Sequence, residues 1–249
     1  MKNAKTIVVL VCVLLSTLIA SAQTPPPIYP LLAVTTVVVK ADRVAEWRDV
    51  ETLYSEAYKK GGGLWRRIYQ TRTGNVNEFL VITQLASFAD LDGQSAIVKG
   101  ASETDLARWS ARRNQCIESA STTYERLVPD TSINNPGASV PLLIVETTFR
   151  VKPGMGEDFV AFVKTESMPV FKKAGVGLFV LRRIEYGGSR NVYTMRRGAM
   201  KFAELEGNII EKTLGKEGAA KYFAKSATLV ADAESRIYVY QPAISYAGQ

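Results

Sequence analysis

The sequence predicts an α+β protein made of two tandem copies of one β-α-β-β-α-β unit. The motif SFADLDG at 87–93 returns as KFAELEG at 201–207, with the same aromatic-Ala-acid-Leu-acid-Gly core. Upstream, LWRRIYQ at 64–70 matches VLRRIEY at 180–186. The offsets between matched segments drift by only a few residues while their order holds. Small loop insertions in two copies of one unit would produce this pattern.

Each copy begins with a strand and a helix. The β-rich runs 33–40 and 142–151 precede segments whose apolar residues recur at helical spacing. Asp42 is the expected N-cap of the first helix, and Pro169 is expected to kink or shorten the second. Lysine pairs followed by glycine mark both helix ends. The expected helical faces are Val44, Trp47, Glu51, Tyr54 and Tyr58 in the first copy, and Phe159, Phe162 and Val163 in the second.

A hairpin, a second helix and a closing strand complete each unit. Gly74-Asn75 and Gly187-Gly188 supply the hairpin turns. The stripe of the first copy's second helix places Cys116 in the core rather than at a reactive site. That stripe comprises Leu106, Trp109, Arg113, Cys116, Ile117 and Ala120. The expected strands are 64–70, 78–85 and 124–129, then 177–186, 191–197 and 235–241. This element order is the ferredoxin-like split unit.

The chain divides at a Pro/Asn/Ser/Gly-rich stretch, PDTSINNPGAS at 129–139. Such a composition is typical of a linker between packed units. The predicted organisation is a signal peptide at 1–22, an extension at 23–32, unit 1 at 33–129, a linker at 130–141, unit 2 at 142–242 and a tail at 243–249.

The N-terminus predicts export. Lys2 and Lys5 precede an apolar run that ends in Ala20-Ser21-Ala22, a pattern suited to cleavage by signal peptidase after Ala22. A membrane anchor is the alternative, but the run is shorter than the ~20 residues that a bilayer requires. We therefore expect a periplasmic or extracellular protein with no stable membrane anchor after cleavage.

Composition excludes several chemistries. The chain contains no histidine, so it has no Ser-His-Asp triad and no imidazole metal ligand. Cleavage after Ala22 would leave Cys116 as the only cysteine, which excludes thiolate zinc and iron-sulfur sites and an internal disulfide. The net charge of +7 is scattered among acids, which argues against a nucleic-acid partner. We expect no metal and no cofactor, and homo-oligomerisation stays open.

A family resemblance lies in VKPGMGEDFVAFVKTESMPVFKKAGVGLFVLRRIEYGGSRNVYTMRRGAMKFAELEG. This segment resembles the NIPSNAP-type and antibiotic-biosynthesis-monooxygenase-type units of the dimeric α/β-barrel superfamily. The resemblance covers most of 143–240 and, more weakly, 33–129. It implies that the antiparallel sheets of the two units pair into one intramolecular α/β barrel. Members include cofactor-independent oxygenases, isomerases and haem-degrading enzymes, but no catalytic residue of these families has a matching motif here.

The candidate ligand-binding residues are arginines and aromatics. Arg66-Arg67 and Arg182-Arg183 lie mid-strand, so one of each pair must point inward and needs an acidic or anionic partner. A ligand carboxylate or phosphate is one such partner, and a structural ion pair with an acid such as Glu146 or Glu185 is the other. Large aromatics could line a pocket between sheet and helices or simply pack the core. The predicted ligand-binding set is Trp65, Arg67, Tyr69, Trp109, Arg183 and Tyr193.

The acidic motifs resemble a metal clamp only superficially. Asp90 and Asp92 alternate with Leu91, and Glu204 and Glu206 follow the same pattern in the second copy. This alternation favours a capped, solvated helical turn.

Three functions are compatible with the sequence. The first is an exported barrel protein that binds a small, partly apolar ligand, which can be anionic. The second is a cofactor-independent monooxygenase or isomerase, and the third is a protein-interaction or scaffold module. A pocket with convergent polar groups favours the first two, whereas a filled interior beside an exposed apolar patch favours the third.

Overall fold

The computed structural model describes residues 30–134 and 139–248, so the predicted signal peptide and most of the extension at 23–32 lie outside the described residues. The strands are β1 (Leu31–Val39), β2 (Arg66–Thr71), β3 (Glu78–Leu85), β4 (Ile117–Asn134), β5 (Leu143–Val151), β6 (Leu178–Tyr186), β7 (Val192–Ala199) and β8 (Val230–Tyr240). The helices are α1 (Val44–Lys60), α2 (Ala96–Gly100), α3 (Glu103–Cys116), α4 (Gly156–Phe162), α5 (Met168–Lys173) and α6 (Ile209–Leu229).

The strands form one closed antiparallel barrel in the order β1-β3-β2-β8-β5-β7-β6-β4. Strands β1 to β4 make the sheet of the first unit, and β5 to β8 make that of the second. The two sheets join at β2–β8 and at β4–β6. The predicted fold, two ferredoxin-like units paired into an intramolecular barrel, is confirmed. Among the described helices, none is both long and apolar enough to cross a membrane.

The two units agree in detail. The ladder between β1 and β4 has a register shift after Val38, and the ladder between β5 and β8 has one after Arg150. A hydroxyl pair crosses each ladder at the same place: Thr35 with Thr122 at 2.9 Å, and Thr147 with Ser235 at 2.8 Å. These matching irregularities support the interpretation of a repeated unit, because a bulge is a specific feature of a fold rather than a common accident.

The register corrects one sequence match. Arg66 pairs with Thr83 across β2–β3, and the equivalent pair across β6–β7 is Phe179 with Arg197. Arg66 is therefore the structural counterpart of Phe179, not of Arg182. The match between the two sequence segments is therefore misaligned by three residues. A shift by an odd number of residues exchanges the two faces of a strand, so Arg66 points to the helices whereas Arg182 points into the barrel.

The first helices bury the predicted faces. Trp47 and Phe159 are almost fully buried at corresponding positions of the two units. The expected N-cap is wrong: Asp42 lies in a 3-10 turn, and α1 starts after Arg43 without a side-chain cap. Pro169 does interrupt its helix. A turn of π-helix at Val163–Ser167 separates α4 from α5, and Pro169 lies in the first turn of α5, directly after it.

The second helix of unit 1 is shorter than its apolar stripe suggests. It ends at Cys116, which is fully buried as predicted, whereas Ile117 and Ala120 already belong to β4. β4 also runs past its expected end to Asn134, through a bulge at which Asp130 has a φ of +59°. The strand thus includes the first residues of the segment predicted as a linker.

The barrel interior is filled by side chains. Its apolar part lies between the two sheets and comprises Leu32, Val34, Tyr69, Leu80, Ile82, Ile144 and Tyr238. A larger apolar cluster lies outside the barrel, between the second sheet and its helices, and includes Phe159, Phe171 and Phe179. The second unit therefore has its largest packed core under the helices.

Candidate functional site

The six predicted ligand-binding residues fall into three separate places. Trp65, Arg67 and Tyr69 lie along β2 on the barrel side. The Arg67 guanidinium stacks 4.6 Å from the centre of the Trp65 ring and donates to the Ala247 carbonyl at 3.3 Å. The Tyr69 ring is buried in the barrel, and this burial raises the pKa of its hydroxyl.

Trp109 lies elsewhere, in the helix layer of unit 1, where it packs with Val50 and Ala57 of α1. Arg183 and Tyr193 do come together. They border a groove on the helix side of the second sheet, next to Val160. The predicted residues thus contribute to two local groups and one core position, rather than to a single site.

The mid-strand Arg66 belongs to a structural ion pair. It forms a salt bridge with the Glu51 carboxylate on α1 and donates to the Ser55 hydroxyl at 2.8 Å. Arg113 on α3 reaches the other Glu51 oxygen at 2.6 Å. Burial alone would raise the pKa of Glu51, but the two guanidinium groups hold it below its ordinary value. The structural alternative, rather than ligand recognition, therefore explains Arg66.

A second charged group lies inside the barrel. Arg196 on β7 binds both oxygens of Glu125 on β4, at 2.5 and 2.9 Å, and its Nε donates to Glu146 at 2.6 Å. Arg182 donates to the Glu125 carbonyl at 3.4 Å, and burial lowers the pKa of Arg182 to about 10. Burial raises the pKa of Glu146, whereas Arg196 outweighs burial at Glu125 and lowers its pKa. We term Arg182, Arg196, Glu125 and Glu146 the interior charge network.

Sequence reasoning did not find this network. The sequence pointed to Glu146 as an ion-pair partner for a mid-strand arginine, but it gave no role to Arg196 or Glu125. Arg196 and Glu125 are single charged residues within strands, which is a weak sequence signal. Arg196 also lies 50 positions from Glu146 and 71 from Glu125 along the chain. Their meeting depends on how the barrel closes. All four members are buried and contact one another, so we assign the network to structure.

An open cleft lies between the second sheet and its helices. Its volume is about 390 Å³, within the range of small-molecule pockets. Six aromatic rings line it: Phe149, Phe159, Phe162, Phe171, Tyr222 and Phe223. We term this hollow the aromatic cleft. Phe149 and Phe159 have ring centres 5.2 Å apart, and Phe162 and Tyr222 have theirs 4.9 Å apart, so the walls are packed by tilted aromatic pairs.

Local sequence explains why this space stays open. Gly215 divides α6, because its backbone (φ 73°, ψ 171°) is not helical. The part before it contributes Ile209 and Ile210 to the cleft, and the part after it contributes Tyr222 and Phe223. The start of α6 is fixed by Asn208, whose side-chain oxygen accepts from the Ile210 amide at 2.9 Å. The change of direction in α6 thus sets the opposite wall of the cleft.

The residues that line the aromatic cleft include seven with polar side chains: Thr147, Ser167, Arg197, Asn208, Tyr222, Ser226 and Ser235. The hydroxyls of Ser167 and Tyr222 hydrogen-bond at 2.7 Å, and burial raises the pKa of Tyr222. Arg197 is half-buried at one end, and burial lowers its pKa against the attraction of Glu204. The described lining contains no histidine, cysteine, aspartate or glutamate. The cleft can therefore donate hydrogen bonds to a ligand but offers no carboxylate base.

The acidic motifs close turns. Asp90 accepts from the Ala86 amide at 2.7 Å and forms a capping box with Ser87. Glu204, its counterpart, accepts from the Met200 amide at 3.2 Å. Within residues 30–134 and 139–248, no group of three or more acidic or cysteine side chains could hold a metal ion. The first motif is therefore a capped turn as predicted, whereas the turn at Phe202–Leu205 has no side-chain N-cap.

Comparisons with known proteins identify the fold. No protein-family model matches the sequence, and a search of curated proteins finds no match. Solved structures do match. A proposed monooxygenase from Lactobacillus acidophilus superposes with a TM-score of 0.59 at 10% identity, over 85% of this chain and 94% of the other. One from Fusobacterium nucleatum gives 0.60 at 13% identity, over 85% and 92%.

Two further structures extend this similarity. An anthrone oxidase-like protein superposes with a TM-score of 0.60 at 12% identity, over 85% of this chain and 91% of the other. A chlorite dismutase variant from Candidatus Nitrospira defluvii, in complex with cyanide, gives 0.51 at 6% identity, over 88% and 93%. At these identities the likeness establishes the fold and leaves the chemistry to be argued from the site.

Proposed function

We propose that this dimeric α/β-barrel protein binds a small planar aromatic molecule in the aromatic cleft of its second unit. The observation that carries the proposal is the cleft itself, an open space of about 390 Å³ walled by six aromatic rings. Aromatic walls favour flat ligands, because offset-stacked and edge-to-face contacts both contribute beyond simple burial. The barrel interior holds the apolar cluster and the interior charge network, whereas the cleft lies in the helix layer.

The polar groups support binding more directly than catalysis. One hydroxyl of the Ser167–Tyr222 pair donates to the other, and the remaining O–H can donate to a carbonyl or phenolic oxygen of the ligand. A catalytic base needs a pKa near the working pH, and the cleft has only a tyrosine whose pKa is raised and an arginine. We infer that the protein performs this role after export, which rests on the N-terminal pattern of Lys2, Lys5 and Ala20-Ser21-Ala22.

The test fills the cleft without removing core contacts. Ser226 is half-buried on α6 and lines the cleft, so Ser226→Trp places a ring where the ligand would lie. Calorimetric titration with anthraquinone-2-carboxamide, an uncharged tricyclic probe, should show binding to the wild type and a loss of roughly tenfold or more in the variant. Ala224→Trp adds the same ring at an exposed position of α6 and should bind as the wild type does. Equal binding by all three proteins, or none by the wild type, would refute the proposal.

A second candidate is cofactor-independent oxygenation. It is favoured by the hydroxyl pair, which can stabilise a developing oxyanion on a substrate that supplies its own reactivity. With anthrone, one dioxygen would give anthraquinone and one water. Dioxygen uptake by the wild type with anthrone, reduced in Tyr222→Phe, would favour this candidate. Binding without uptake would leave the protein as a binder.

A further inference from the structure

Arg197 lines two neighbouring hollows of the second unit. One is the aromatic cleft. The other is a more open groove of about 680 Å³ that borders the same guanidinium and the same Ile209. The wall of this groove includes Lys173 and Lys212, and we term it the basic groove. A ligand longer than one ring system could therefore lie in both hollows and would have to pass Arg197.

The charges of the basic groove are not balanced by the protein. Lys173 donates to the Thr213 carbonyl at 3.4 Å, and Lys212 donates to the Glu206 carbonyl, so both bind neutral acceptors. Within the described residues, neither lysine nor Arg197 forms a salt bridge. Among the described residues of the groove wall, Glu204 is the one with a carboxylate, and it accepts from the Met200 amide at 3.2 Å. Three cations and one carboxylate thus line the described wall of the groove, which leaves it with a net positive charge.

The position of Arg197 contrasts with that of Arg196. The side chains of these neighbours point to opposite faces of β7, as the alternation of a strand requires. Arg196 enters the barrel and is saturated by Glu125 and Glu146. Arg197 faces the helix layer, is half-buried, and has Glu204 as its only acidic neighbour. No protein carboxylate is bound to this half-buried guanidinium, among the described residues. An anionic group of a ligand would supply that countercharge.

We infer that the ligand is an aromatic carboxylic acid whose ring system occupies the aromatic cleft and whose carboxylate binds Arg197 at the entrance to the basic groove. This rests on the proposed function, since it specifies the ligand of the same cleft. The planar guanidinium can bind both carboxylate oxygens at once, which fixes orientation as well as charge. Lys173 and Lys212 add attraction that salt will screen, because they lie in a more open groove.

The test compares two probes that differ in charge. Anthraquinone-2-carboxylate and anthraquinone-2-carboxamide have the same ring system, but only the first is anionic at pH 7. The wild type should bind the carboxylate roughly tenfold or more tightly than the carboxamide, as expected for a charge-assisted hydrogen bond. Raising the salt concentration should reduce this preference without abolishing it.

Variants locate the preference. Arg197→Gln should remove the preference while leaving carboxamide affinity within about twofold, because the rings still fill the cleft. Arg150→Gln is the matched control: Arg150 is an exposed arginine on the same sheet, is not among the residues that line either hollow, and should keep the preference. Far-ultraviolet circular dichroism and a thermal melt establish that each variant is folded.

The outcomes separate this inference from the proposed function. Equal affinity for both probes in the wild type, or an unchanged preference in Arg197→Gln, would overturn the role of Arg197 and leave the aromatic cleft as a binding site. Absence of binding for both probes would overturn the proposed function as well. Loss of carboxamide binding in Arg197→Gln would also overturn the inference, since it would make Arg197 a structural residue of the cleft.

Discussion

Glu51 shows how a single buried charged residue is accommodated in this protein. Glu51 occurs in the apolar face of α1, where an acid has no reason to be until Arg66 and Arg113 are seen opposite it. The Ser55 hydroxyl extends the group by donating to the Ile244 carbonyl at 2.7 Å. The buried charges of Glu51 and Arg66 therefore partner each other, which is the condition for burying a charge at acceptable cost.

Replacing Glu51 tests this group. Glu51→Gln leaves the buried Arg66 without its countercharge and should lower the free energy of unfolding by about 3 kcal/mol at pH 7. The folded pKa of Glu51 is lowered, so its stabilisation is present above the unfolded pKa of about 4.3 and is lost as the pH falls through the folded pKa. Urea titrations at pH 7 and pH 3 should show the difference between wild type and variant shrinking at pH 3.

The control is Glu56→Gln, which changes an exposed carboxylate on the same helix and should alter stability by less than about 0.5 kcal/mol. A pH-independent difference for Glu51→Gln would show that packing, not charge, dominates at this position.

The candidate residues show which features of the site the sequence could predict and which it could not. Sequence reasoning placed Cys116 in the core and the first acidic motif in a capped turn, because helical spacing and capping chemistry are local. It singled out Arg182 and Arg183 but passed over Arg196 and Arg197 on the adjacent strand. No local pattern distinguishes these pairs. Only the strand register decides which arginine enters the barrel and which reaches the aromatic cleft.

At the scale of elements, the two units differ most in their second helix. Unit 1 has two helices, α2 and α3, where unit 2 has α6 divided at Gly215. The backbone of Gly215 lies in a region that is essentially restricted to glycine. No heavy atom lies within 4 Å of where a β-carbon would be, so the constraint is conformational rather than steric.

Gly215→Ala should therefore destabilise the protein by roughly 1–3 kcal/mol through backbone strain alone. It should also weaken probe binding in the aromatic cleft, since the direction of α6 on each side of Gly215 sets one wall. Ala224→Gly is a matched change on the exposed side of α6 that costs about 1 kcal/mol of helix propensity without redirecting the helix. Thermal melts and titration with the uncharged probe measure both effects. A gain in stability for Gly215→Ala would contradict the assigned backbone conformation.

At the scale of the whole molecule, closure of the barrel joins the two units into a single folded structure. Junctions β2–β8 and β4–β6 pair the sheets at both edges, so no sheet edge is left open. The interior charge network crosses this boundary, because Glu125 belongs to the first unit and Arg196 to the second. At the other junction, Arg236 on β8 binds Glu78 on β3 at 2.7 Å.

Arg196→Leu should lower the free energy of unfolding by about 3–5 kcal/mol, because Glu125 and Glu146 remain buried without their cation. Both units should still unfold in one transition, since the barrel joins them through two ladders. Chemical denaturation followed by near- and far-ultraviolet circular dichroism measures both. Arg150→Leu, at an arginine that is two-thirds exposed, should change stability by at most about 0.5 kcal/mol. Two separate transitions in the wild type would contradict the single closed body.

The sequence by itself determined the repeat, the order of elements, the ferredoxin-like unit and the absence of histidine chemistry. These properties are local or follow from counting: periodicity, turn residues and composition act over a few positions. The predicted signal peptide at 1–22 lies outside the described residues and stays a prediction. Only the tertiary structure decided which side chains meet. The aromatic cleft, Arg197 and the interior charge network combine residues far apart in the chain, and a register error of one residue exchanges barrel interior for helix layer.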